Sequence, residues 1–118
     1  MVEGYLGQVK LFALNFAPKD WAQCDGQELL ISQHESLYSI IGTIYGGDGR
    51  KTFALPDLRG RAPVGVGESK NLPRIYEGEK RGGAPVAVAK ESEPSEVTMA
   101  GLGMTWCICL NGVFPARQ

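Results

Sequence analysis

Histidine is nearly missing from this chain, with His34 the only one in 118 residues. Any mechanism that needs an imidazole base depends on that residue, and no G-x-S-x-G elbow supplies a serine nucleophile beside it. Serine hydrolase chemistry is not expected, and His34 reads as an exposed residue of a first helical turn. Charge of one sign is missing too. The formal net charge of -1 leaves no global field to attract nucleic acid or an acidic membrane surface. No run approaches the ~20 apolar residues of a spanning helix. The opening MVEGYLGQVKLFALNFAPKDW has no basic leader before a long apolar core, so neither membrane insertion nor a recognisable signal peptide is expected. Three cysteines, Cys24, Cys107 and Cys109, form an odd set with no C-x-x-C knuckle. A disulfide framework does not fit, and a metal site would need Cys24 and His34 gathered with the other two in tetrahedral geometry. Cys107 and Cys109, two apart in an apolar run, would share one face of a strand as small buried hydrophobes.

Glycine is what the chain has in excess: sixteen residues, about double the usual share of ~7%. Hydrophobic residues at 43% and charged residues at 21% are ordinary for a globular chain, and 118 residues are enough for one domain, 1–118, with its own core. The glycines concentrate in Tyr45 to Gly67, YGGDGRKTFALPDLRGRAPVGVG. Gly46, Gly47 and Gly49 precede the apolar run Phe53, Ala54 and Leu55, while Gly60, Gly65 and Gly67 follow it. Glycine permits positive φ and close backbone approach, and Pro56 and Pro63 fix φ, so the path is sterically prescribed. GGDG lacks the lysine and hydroxyl of a phosphate loop and follows a helix instead of preceding one, so it reads as a turn. Asp48 alone does not supply the repeated acids of a calcium loop.

Before this stretch, GYLGQVKLFALNF reads as a strand with a largely buried face, and Asp25 with Gly26 as the turn of a short hairpin. Ser32 and Glu35 have the spacing of a capping box, followed by Leu37, Ile40, Ile41 and Ile44 at helical spacing, with Gly42 or Gly46 as the stop. Tyr38 and Tyr45 flank the helix's buried face. Beyond Gly67, Val86 and Val88 alternate with alanines and suggest a strand, and KESEPSE an exposed loop. Met104 to Leu110 is an apolar β run suited to pair with the N-terminal strand, and Asn111 with Gly112 is a hairpin signal. The expected class is α+β: a small mixed or antiparallel sheet, one short helix and long Gly/Pro-rich ordered loops.

PDLRGR is the constellation with the most chemistry. Arg59 and Arg61 carry planar donor forks suited to a phosphate, a carboxylate or a neighbouring chain's carbonyls. The favoured reading is that Asp57 caps the turn and pairs with one arginine, so that Pro56, Asp57, Arg59, Gly60 and Arg61 form a structural loop and subunit contact. A competing reading places Trp21, Tyr45 and Trp106 in a shallow platform for a carbohydrate or cell surface. No catalytic residue, metal site or cofactor is assigned.

GQVKLFALNFAPKDWAQCDGQELLISQHESLYSIIGTIYGGDGRKTFALPDLRGRAPVGVG, over residues 7–67, resembles the phage tail collar domain of short tail fibres and of microcystin-dependent proteins. FAPKDWAQCDGQ, YGGDG and TFALPDLRGR carry the likeness, and WCICLNGVFPARQ at 106–118 is similar to the family's closing strand. The resemblance implies a non-enzymatic α+β domain that assembles as a homo-oligomer, a trimer above all, near the tip of a fibre that contacts the host. A fibre or baseplate protein and a cell-surface glycan are the implied partners, and the virion tail the implied location. A protein of bacterial origin would instead be cytoplasmic, or exported without a recognisable signal peptide. Residues 68–105 are a shortened variable region without the histidines that collect a metal in family members, so no metal site is carried over.

Overall fold

A computed structural model describes residues 4–70, 72–80 and 101–117 of the chain. The strands are β1 (Val9–Phe12), β2 (Trp21–Gln23), β3 (Glu28–Leu30), β4 (Thr52–Ala54), β5 (Gly67–Ser69), β6 (Leu72–Ile75) and β7 (Thr105–Cys109). One 3-10 turn, Ile31–Gln33, leads into the helix α1, Glu35–Ile41. The expected α+β class holds: among the described residues there are three small antiparallel sheets, ordered β1-β7-β2, β3-β4 and β5-β6.

The strand near the C-terminus is the centre of the largest sheet. Its sequence TWCIC is rich in β-branched and aromatic residues. It pairs with β1, Leu11 opposite Trp106, and with β2, Trp21 opposite Cys109. The pleat sends its residues to two faces, and both are covered. Ile108 joins Leu6, Ala22, Cys24, Leu37, Phe53 and Leu55 in one cluster. Cys107 and Cys109 turn the other way, against Trp21 with Phe12 and Ala17 beside it. The two thiols thus share a buried face, as their spacing predicts.

Several local expectations give way, most of them to longer-range pairing. The N-terminal strand is confined to Val9–Phe12, because Gly7 takes φ of 83° and breaks the run. Gly26 has the positive φ of 79° expected of it, but its flanking arms enter different sheets: β2 runs along β7 and β3 along β4. The Gly26 N–H donates to the Pro56 carbonyl at 3.2 Å and Asp25 bridges Asp57, so the central loop displaces the hairpin partner. Ser32 does not cap the helix. It lies in the 3-10 turn, which the Ile31 N–H anchors on the Lys51 carbonyl at 2.9 Å, and the N-cap of α1 is His34 without a side-chain bond. Leu37 is fully buried and Gly42, at φ of 54°, ends the helix, which leaves Ile44 beyond it and exposed.

Asn111 and Gly112 likewise form no two-stranded hairpin. The Leu110 N–H donates to the Asp20 carbonyl at 2.7 Å, Val113 to that of Gly4 at 2.9 Å, and Leu6 returns a bond to Val113 at 2.8 Å. Gly112 is there because a Cβ would strike the Gly4 carbonyl oxygen and come within 2.8 Å of the Cys109 sulfur. Its task is close approach of two backbones, not a tight turn. The expected Val86–Val88 strand and the KESEPSE loop lie outside the described residues.

Candidate functional site

The loop from Tyr45 to Gly60 is built from backbone inward. Gly47, at φ of 94°, sits so close to β4 that a Cβ would strike the backbone of Phe53 and lie 2.7 Å from the Thr52 carbonyl. This lets the loop fold flat on the strand. The Asp48 carboxylate then accepts from the N–H groups of Arg50 and Lys51 at 2.8 Å and of Thr52 at 3.0 Å. These bonds hold its pKa down at about 2, since each favours the charged form. The loop's N–H cluster is thus filled by its own carboxylate, and GGDG is a turn.

Phe53, Ala54 and Leu55 plunge into the core, Phe53 edge-on to Tyr38 with ring centroids 5.5 Å apart. The Tyr38 hydroxyl donates to the Gly49 carbonyl at 3.3 Å and ties helix to loop. Past Pro56 the chain returns to the surface. Asp57 accepts two parallel bonds from Arg59, each at 2.9 Å, and a third from the Arg59 N–H at 3.2 Å. The guanidinium holds the Asp57 carboxyl down at about 2, while the Arg59 side chain stays 72% exposed. Leu58 donates to the Cys24 carbonyl and Arg61 to that of Leu58, completing a rigid corner. Among the described residues Arg61 has no side-chain bond, and it lines a larger hollow.

Two hollows flank this corner. A shallow one of about 200 Å³ lies over Cys24, Arg59, Gly60 and Trp106. A larger one of about 480 Å³ is walled by Tyr45, Arg61, Val64, Val66 and Tyr76 among others. The three aromatics proposed as a platform are therefore not brought together. Trp21 is only 6% exposed, packed edge-on against Phe12 and covered by the Lys10 ammonium at 5.7 Å, while Tyr45 and Trp106 line different hollows. A strand start flanked by an edge-on ring is a core position, whatever the aromatic. Sequence reasoning missed Val64, Val66 and Tyr76; the valines on either side of Gly65 carry no local signal of their exposure.

The cysteines are all buried and free. Desolvation pushes the Cys24 thiol up to about 12 and raises those of Cys107 and Cys109, so none is a ready nucleophile. Among the described residues no three His, Cys, Asp or Glu side chains converge on a metal position.

A small α+β unit with its loop carboxylates turned inward on their own backbone and arginine has the make of a structural domain. Residues 7–63 match the phage tail collar domain, a structural family of phage tails. The match ends at Pro63, before the valines of the larger hollow, and does not reach β7. No curated protein and no solved structure matches the chain.

Proposed function

We propose that the chain is a non-enzymatic structural and adhesion module of a tail fibre, working as a homo-oligomer with three copies round one axis. One observation carries the reading. Among the described residues fourteen large hydrophobic side chains are exposed, beside a core of eleven buried apolar residues and the half-buried hydrophobics packed on it. Single exposed apolar residues are ordinary, but Tyr45, Val64, Val66 and Tyr76 are exposed round one hollow, and a grouped apolar surface is what an assembling subunit presents. Covering that surface between copies contributes about 25 cal/mol per Å² of apolar area removed from water. The stiff corner from Pro56 to Arg61 keeps its shape without help, and Arg61 with the exposed face of Arg59 serves as a subunit contact. The fibre setting of the collar family supports a fibre or baseplate protein as anchor, a place in the virion tail and a role in host recognition. A glycan platform of Trp21, Tyr45 and Trp106 has no assembled geometry behind it.

Assembly makes the unfolding temperature depend on protein concentration, because only the folded state associates. Thermal unfolding followed by tryptophan fluorescence over a roughly hundredfold concentration range should show the midpoint rising with concentration. A midpoint that stays fixed would contradict the oligomer.

A further inference from the structure

Three asparagines occur in the chain, and only Asn111 is followed by glycine. Without a Cβ, Gly112 puts no side chain of its own in the way when its nitrogen approaches the Asn111 amide carbon. The structure sets this pair at a joint between two distant segments. The Asp20 carbonyl accepts from the N–H groups of Leu110 at 2.7 Å and Asn111 at 3.3 Å, and directly beyond, Val113 exchanges backbone bonds with Gly4 and Leu6. Residues 110–112 form a bend outside any strand, and both Asn111 and Gly112 are exposed to water. Among the described residues one long bond holds the Asn111 side chain, from Nδ2 to Asp20 Oδ1 at 3.3 Å. Asp25–Gly26 and Asp48–Gly49 have the same spacing, but there each glycine N–H is committed, to the Pro56 carbonyl at 3.2 Å and to that of Thr52 at 3.0 Å. Their carboxylates are committed as well, Asp25 to the Gln27 N–H and Asp48 to those of Arg50, Lys51 and Thr52.

From these features we infer that Asn111–Gly112 is a site of spontaneous deamidation whose product loosens that joint. The Gly112 nitrogen attacks Asn111 Cγ and a new C–N bond closes a succinimide ring. The Cγ–Nδ2 bond breaks, and ammonia leaves with the proton that Gly112 gives up. Water then opens the ring at either carbonyl, giving aspartate or isoaspartate, and nothing is oxidised or reduced. In isoaspartate the main chain runs through Cβ and Cγ and is longer by one C–C bond of about 1.5 Å. That extra bond falls between Leu110, held on Asp20, and Val113, held on Gly4 and Leu6. Either product also replaces the amide that donated to Asp20 with a second carboxylate, and like charges so close repel.

The test holds the full chain in mildly alkaline buffer, where more of the attacking amide is ionised, and digests samples at intervals. A methyltransferase specific for isoaspartate counts the product peptide by peptide. The peptide holding Asn111 should gain isoaspartate about tenfold faster than those holding Asn15 and Asn71, a barrier lower by about 1.4 kcal/mol. Thermal unfolding of the converted protein, compared with fresh protein at one concentration, should show the midpoint lowered by about 3–6 °C. Asn111→Gln, whose longer side chain closes a ring far more slowly, should keep its midpoint through the same incubation. Equal rates at the three asparagines would overturn the site. Isoaspartate at 111 with an unmoved midpoint, or an equal fall in Asn111→Gln, would overturn the loosening of the joint.

Discussion

Gly112 and Gly65 differ only in what surrounds them, and they separate steric need from habit. A Cβ at Gly112 strikes the Gly4 carbonyl, whereas one at Gly65 meets nothing within 4 Å. Gly112→Ala should cost about 1–3 kcal/mol in urea unfolding, as overpacking does. Gly65→Ala should stay within about 0.5 kcal/mol. Asp48 gives the molecule an acid limit. Its folded pKa of about 2 lies below the ordinary 3.8, so its stabilisation is present above the unfolded value and is lost as pH falls from near 3.8 towards 2. Asp57 acts in the same direction and window. Denaturation midpoints across that range should fall less steeply for Asp48→Asn than for the parent; an unchanged slope would show that the turn does not carry the effect. At this scale the sequence was readable where causes are local. Asp57 finds Arg59 two residues on, and Cys107 shares a face with Cys109. The partners that bury Trp21 were not readable, because they are Phe12 and, far along the chain, β7.

The short elements show which rules survive tertiary competition. Helix α1 was legible from the period of Leu37, Ile40 and Ile41, and β7 from its apolar run. The pairing of β7 with β1 was legible as well, but the partners beyond the turns were not, since a DG or NG dipeptide states that the chain can turn but not which strand waits beyond it. Here β7 and the 56–57 corner outbid the neighbouring arm. The capping box failed for a related reason: the Lys51 carbonyl holds Ile31 in a 3-10 turn and carries Ser32 outward. Ser32→Ala should therefore change stability by no more than about 0.5 kcal/mol, where a working cap would lose about 1 kcal/mol. Leu37→Ala, at the fully buried point of the helix, should cost about 2–5 kcal/mol. Chemical denaturation of both variants checks the pair, and a large loss at Ser32 would restore the cap.

At the scale of the whole molecule, the described residues combine eleven buried apolar side chains, with half-buried hydrophobics packed on them, and fourteen large hydrophobics left exposed. The described parts are tied at their ends, with β7 between β1 and β2 and Val113 bonded to Gly4 and Leu6. The sheets and loops therefore hold a defined shape while presenting valines, tyrosines and arginines outward. The family was legible from FAPKDWAQCDGQ, YGGDG and TFALPDLRGR because those motifs encode the close approaches and turns of the loop itself, and residues 7–63 match it. The exposed apolar lining of the larger hollow was not legible, since only the fold brings Tyr45, Val64, Val66 and Tyr76 to one place. The most direct measurement is the solution mass by light scattering after size exclusion. The expected value is about three times 12.7 kDa, and a mass of 12.7 kDa at high protein concentration would contradict the assembling-module reading.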